Sequence, residues 1–134
     1  MYTASCLCNG IQIKINQEIS KIFVCPCHQC QKAQGSAFVA ITPIETQNLK
    51  IIQGKELLGE YFSTAHKKRI FCKHCASPIF SARIDLPEVV RLRVGIINEP
   101  LTAKVYSHAF TKYKACWFNV SDDDTLKFEE KLLF

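Results

Sequence analysis

The chain has 134 residues, 48% of them hydrophobic and 22% charged, with a formal net charge of +5 and eight cysteines. That balance excludes a disordered chain, the length suits one globular domain with a core of its own, and no apolar run approaches the roughly 20 residues of a bilayer span. The opening Met1-Tyr2-Thr3-Ala4-Ser5-Cys6 has neither a basic start nor an apolar stretch, so the expectation is a single soluble, cytoplasmic domain over residues 1–134 without a signal peptide.

The hydrophobic period is two over most of the length. Ile11-Gln12-Ile13-Lys14-Ile15-Asn16 alternates apolar and polar residues, the pattern of a half-buried strand. Asn9-Gly10 before it suits a hairpin turn returning from Tyr2–Cys6. Further strands are expected at Lys21–Cys25, Phe38–Thr42, Leu49–Gln53, Leu57–Phe62, Lys68–Cys72, Ile79–Ile84, Val89–Ile97 and Ala103–Phe110. Only His28–Gln34 reads as a helix, a short one ended by Gly35. Ser121-Asp122-Asp123-Asp124 reads as a loop or cap, and the rest of Ser121–Phe134 has no assignment. The expected class is mainly β with one short helix, without an internal repeat, linker or low-complexity tract.

Seven of the eight cysteines fall into three tight groups: Cys6-x-Cys8, Cys25-x-Cys27-x-x-Cys30 and Cys72-x-x-Cys75. A disulfide between Cys6 and Cys8 would close almost no loop and stabilise little, whereas a short spacer turns two thiolates into one chelating unit. Metal is therefore expected over disulfides. Sets of soft thiolates select zinc or an iron–sulfur cluster. Structural zinc is closed by four ligands, while catalytic zinc keeps three and leaves a corner open. The spacing fits one site of each kind, two zinc ions per chain. Cys6, Cys8, Cys72 and Cys75 would staple the N-terminal hairpin to a distant turn, and Cys25, Cys27 and Cys30 would wrap three corners of a second ion. The alternative is one structural site with the other cysteines as buried thiols.

Ligating cysteines are thiolates. A four-thiolate zinc is net −2 and a three-thiolate zinc −1, which together take the formal +5 down to +2. With only Lys67-Lys68-Arg69 as a basic run and no aromatic-rich binding motif, nucleic acid is not the expected partner.

At this point the chain resembles a known family. Cys25-Pro26-Cys27-His28-Gln29-Cys30-Gln31-Lys32-Ala33-Gln34-Gly35-Ser36-Ala37-Phe38 is similar to the second motif of the glutathione-dependent formaldehyde-activating enzymes, which include the centromere protein V group. Cys6-x-Cys8 before an alternating strand resembles the family's first motif. Tyr61-Phe62-Ser63 followed by Arg69-Ile70-Phe71-Cys72-Lys73-His74-Cys75-Ala76-Ser77-Pro78 resembles its third, with Ala76 where the family usually has Gly. His108-Ala109-Phe110 and Lys114-Ala115-Cys116-Trp117 resemble its late His…Lys-x-x-Trp stretch. The resemblance implies a zinc-stapled tent of antiparallel sheets, similar to the zinc-bearing methionine sulfoxide reductases. It also implies the same division of the seven ligands, and a carbon–sulfur lyase reaction on S-hydroxymethylglutathione. This chain is shorter than the formaldehyde enzymes proper.

A zinc held by three thiolates is an electron-rich, soft Lewis acid, better suited to another sulfur than to making hydroxide. The expected partner is a small-molecule thiol, with glutathione first, whose carboxylates Lys32, Lys114 or Arg69 would orient. His108 is the candidate proton carrier. His28 and His74, inside the metal loops, are candidates for hydrogen bonds that support the ligands, and His66 has no assigned role. Trp117 is expected in the core or as a pocket wall. Cys116 is expected as a small buried apolar side chain. Two other classes stand beside the lyase: a non-catalytic zinc-binding interaction module with both sites closed, and a thiol redox enzyme using Cys116 as nucleophile. The sequence carries no signal for an oligomeric state.

Overall fold

The computed structural model describes residues 1–120 and 125–130. In chain order the strands are β1 (Tyr2–Ser5), β2 (Gln12–Ile15), β3 (Lys21–Cys25), β4 (Val39–Glu45), β5 (Leu49–Gln53), β6 (Leu58–Phe62), β7 (Lys67–Cys72), β8 (Pro78–Arg83), β9 (Leu86–Arg93), β10 (Lys104–His108) and β11 (Leu126–Lys127). One α-helix, α1 (His28–Gln34), joins four short 3-10 turns among the described residues. No helix among them is long and apolar enough to cross a membrane. The expected class, mainly β with one short helix, holds. Ser121–Asp124 lies outside the described residues, as does the chain beyond Glu130.

The chain divides into two compact units, residues 1–18 with 43–100 and residues 19–42 with 101–134. In the first unit β1 and β2 form the expected hairpin, Tyr2 facing Ile15 and Ser5 facing Gln12, and β5 pairs antiparallel on the other side of β2. The Asn9-Gly10 turn works because Asn9 takes a left-handed φ of 62°, a conformation Asn tolerates better than most residues. Its N–H closes on the Cys6 carbonyl at 2.9 Å. Ile11, Ile13 and Ile15 are all fully buried, and each contributes about 1.5–3 kcal/mol of apolar burial. A second antiparallel set in this unit runs β9-β8-β7-β6. Ile70, Ile79 and Leu92 face its core. Gly54, at φ 81°, passes so close to the Gly10 carbonyl that a β-carbon would overlap it.

Two expectations change here. Val89–Ile97 does not run as one strand: β9 stops at Arg93 and Val94–Ile96 forms a 3-10 turn. Beyond that turn Ile97 bridges Ala4 and the Asn98 N–H donates to the Thr3 carbonyl at 2.9 Å. The Glu99 carboxylate then accepts from both the N–H and the hydroxyl of Thr3, each at 2.6 Å. The chain bends to pair with β1, which periodicity within the segment does not reveal.

The second change concerns the sheets, which are mixed rather than wholly antiparallel. In the second unit the order is β11-β10-β3-β4. β3 and β4 are antiparallel, but β10 runs parallel to β3, and β11 parallel to β10. Parallel neighbours need a long crossover, and most of the first unit's sequence lies between β3 and β10. The core of this unit gathers Phe23, Cys25, Cys30, Val39 and Ile41.

Candidate metal centres

Sequence-distant cysteines meet in the first unit. Cys6 and Cys8 lie in the loop after β1, while Cys72 ends β7 and Cys75 sits in the turn toward β8. Their four sulfurs lie within 4.8 Å of one another. Cys6 Sγ is 3.5 Å from Cys8 Sγ, and Cys8 Sγ is 3.9 Å from Cys72 Sγ. A disulfide needs about 2.05 Å, so these are separate thiols. A tetrahedral ion with metal–sulfur bonds of about 2.3 Å puts its sulfurs roughly 3.8 Å apart. Donor type, number and spacing all fit zinc.

The backbone presents these sulfurs in a local way. The Cys72 carbonyl accepts from the Ala76 N–H at 2.8 Å, and the Cys72 N–H donates to the Ser77 carbonyl at 2.9 Å, which folds 72–77 into a knuckle. Ala76 holds a left-handed φ of 65° there. The turn that Gly favours is kept, with the β-carbon strain of an L-residue. The Ser77 hydroxyl accepts from the Leu7 N–H at 2.9 Å and lies 3.3 Å from Cys75 Sγ. Its own proton is left for a Cys75 thiolate, and this hydroxyl is the first cause holding the Cys75 thiol down at about 5. The Ile11 N–H donates to Cys6 Sγ at 3.3 Å.

Cys25, Cys27 and Cys30 meet in the second unit, also within 4.8 Å of one another. Cys25 ends β3, Cys27 is the N-cap of α1 and Cys30 lies in its first turn. The Cys30 N–H reaches Cys27 Sγ at 3.5 Å, and α1 closes on Gly35 at φ 60° as expected. Hydrogen bonds from Cys25, then Cys30, lower the pKa of the Cys27 thiol, while hydrogen bonds with Cys27, then Cys30, raise that of Cys25. Three thiols suit zinc with one corner left over.

The family model for the glutathione-dependent formaldehyde-activating enzymes matches residues 1–113. The chain belongs to this family. It is 31% identical over 81 residues to an uncharacterized lyase of Schizosaccharomyces pombe, an overlap of 60% of this chain and 57% of the yeast protein. The matched region thus spans little more than half of that curated relative. A crystal structure of a Rhodobacter sphaeroides protein superposes with a TM-score of 0.59 at 20% identity, covering 94% of this chain and 98% of that one. At that identity the likeness is one of fold.

The other residues that the formaldehyde-activating motifs single out fare differently. His108 ends β10 in register with Val24, the residue before Cys25. Its carbonyl accepts from the Phe128 N–H at 2.8 Å, and only 7% of the residue is exposed. Lys32 lies exposed on α1, and Lys114 Nζ donates to the Phe118 carbonyl at 3.0 Å. Arg69 sits on β7 in the other unit. His28 is exposed and meets the Tyr113 ring edge-on at 5.8 Å, while His66 and His74 are exposed. Trp117 is 70% exposed and so not in the core, because the turn at 115–118 directs Phe118 onto Phe38 in its place. Cys116 is exposed rather than buried in that same turn.

Sequence reasoning missed three supports. Gln31 Nε2 donates to the carbonyls of Pro26 (2.9 Å) and Tyr113 (3.1 Å), fastening the cysteine loop to the late segment. Ser77 serves Cys75 as described. Phe110 takes a left-handed φ of 49° and packs on the cluster holding Cys25 and Cys30. The Gln31 and Ser77 contacts depend on carbonyls and thiols elsewhere in the chain. Nothing in a Phe codon position signals φ above zero.

Proposed function

We propose that the chain is a zinc-dependent carbon–sulfur lyase acting on the adduct of a small thiol with formaldehyde or a related carbonyl compound, with glutathione as the leading thiol. The observation that carries this reading is the cluster of three thiols, Cys25, Cys27 and Cys30, inside a chain of the formaldehyde-activating family. The lyase name of the yeast relative agrees with it. In this reading Cys6, Cys8, Cys72 and Cys75 hold a structural zinc, and Cys25, Cys27 and Cys30 hold the working one. The proposal extends to one zinc-binding domain over residues 1–134, to a cytoplasmic setting and to a likeness with the zinc-bearing methionine sulfoxide reductase fold.

A zinc with three thiolate ligands supplies a soft Lewis acid able to take a fourth sulfur. The chain's own part is positional. The core of Phe23, Val39 and Ile41 keeps water from the inner side of the thiols, and Gln31 fixes the loop that carries them. In the breakdown direction the bond between sulfur and the carbinol carbon breaks, its electron pair stays on sulfur, and the hydroxyl proton leaves to a base as the carbonyl forms. His108, on the strand beside the one that ends at Cys25, is the proposed base.

Cobalt-substituted protein tests the reading, because thiolate binding alters the visible spectrum of a tetrahedral cobalt site. Glutathione is expected to change the spectrum and S-methylglutathione to leave it alone. A spectrum untouched by glutathione, or perturbed equally by the methylated control, removes the basis for lyase chemistry. A zinc-binding module with two closed sites predicts the first of these results. Blocking Cys116 leaves lyase turnover intact on this proposal and abolishes it if that thiol is the nucleophile.

A further inference from the structure

Cys25, Cys27 and Cys30 share one cluster but not one environment. Cys25 and Cys30 lie at 4% and 6% exposure inside the apolar core of the second unit, with Phe23, Val39 and Ile41. Cys27 packs against that core and is itself only half-buried. His28 and Gln29, which follow it, are exposed. A small solute arriving from water therefore meets Cys27 first. The sulfur of the buried Cys30 lies within 4.8 Å of the Cys27 sulfur.

The backbone spaces these two residues for a disulfide. Cys27 is the N-cap of α1, and the Cys30 N–H, one turn on, points to Cys27 Sγ at 3.5 Å. Residues three apart across a helical turn have α-carbons roughly 5 Å apart, inside the span of about 4.4–6.8 Å that a disulfide accepts. Bringing the sulfurs together is then a matter of side-chain rotation. Cys25 is the poorer partner for Cys27. That ring would be smaller and would enclose Pro26, which is fully buried and has a fixed φ. The four-thiol cluster also holds two cysteines three apart, Cys72 and Cys75, but Cys72 is wholly buried. Four thiolates complete a tetrahedron around an ion, whereas three leave one corner through which an oxidant can approach.

We propose that Cys27 is an oxidant-sensing thiol and Cys30 its resolving partner: hydrogen peroxide oxidises Cys27, Cys30 closes a disulfide on it, and the zinc of the three-thiol cluster is released. This switch rests on the reading of these cysteines as zinc ligands and not on the lyase chemistry. The Cys27 sulfur attacks one peroxide oxygen, the O–O bond breaks and hydroxide leaves, which makes a sulfenic acid. The Cys30 sulfur then attacks the Cys27 sulfur, the S–S bond forms, the S–O bond breaks and a second hydroxide leaves. Two electrons have passed from the two thiolates to the peroxide. Cys25 is left as the one remaining ligand of a site that needs three. Two molecules of a monothiol reverse the change through a mixed disulfide and leave as a disulfide themselves.

Titration of the zinc-loaded protein with hydrogen peroxide tests the switch, with released zinc read by a chromogenic chelator and disulfides by peptide mass mapping. One zinc per chain is expected to leave as the Cys27–Cys30 bridge forms, and excess 2-mercaptoethanol with added zinc to restore both thiols and metal. Cys30→Ser protein is expected to stop at a Cys27 sulfenic acid, trapped by dimedone, and Cys116→Ser protein to respond as the wild type does. Protein that binds no second zinc before oxidant is added overturns the metal reading and the release step with it. In protein carrying both ions, the switch alone is overturned if Cys27 stays reduced, if it pairs with Cys25 or Cys116 instead, or if both ions leave together.

Discussion

The two thiol clusters use the same donor atom and differ in what they tie together. The first joins residues 64 positions apart, Cys8 and Cys72, through two separate loops. The second is drawn from six consecutive residues at the end of β3 and the start of α1. A metal in the first closes a long loop and so contributes directly to folding. A metal in the second joins groups already held by a helix cap and a strand end, and so contributes less to folding. The count of donors follows the same logic: four complete a tetrahedron, and three leave a corner for chemistry.

The sharpest way to break this contrast is to remove one ligand from each cluster. Cys72→Ser is expected to leave the chain unfolded or insoluble, since structural zinc contributes about 10–16 kcal/mol in small metal-dependent folds. Cys27→Ser is expected to remain folded by circular dichroism and to lose one metal ion and any lyase turnover. Equal loss of structure in both would mean that both clusters are structural.

Chelation sharpens it further. Carefully prepared protein is expected to hold two zinc ions, with the three-thiol site emptying first under mild chelator and the four-thiol site only as the fold is lost. Elemental analysis that finds one ion even after resupply removes the two-site picture. Smaller effects are expected from the supports. Ser77→Ala should weaken the tightly held ion and Gln31→Ala the labile one, each by about 10–100-fold, as for other groups that orient metal ligands. Competition with a chromogenic chelator reads both, and a crossed pattern would show that the two sites communicate.

The smallest effect has the opposite sign. Ala76→Gly removes the β-carbon strain at φ 65° and is expected to raise stability by up to about 1 kcal/mol at the knuckle, against the entropy that Gly adds to the unfolded chain. Thermal melts of the zinc-loaded protein check it. A lower midpoint would mean that Ala76 is held by packing rather than merely tolerated.

What the sequence by itself determined was local. Spacers of one and two residues grouped the seven thiols, because a chelate is set by neighbours in the chain. Period two marked Ile11–Ile15, and the end of α1 followed from Gly35 after it. What only the tertiary structure decided was non-local. The parallel pairing of β10 on β3, the bend that ends β9 at Arg93 to reach Thr3, and the outward turn of Cys116 and Trp117 depend on partners far away in the chain. The same holds for Arg69, Ser81 and Arg91, which are scattered in sequence and stand side by side only because β7, β8 and β9 pair in one register. Alternation assigns each of those residues to a face. Register alone decides which of them stand side by side.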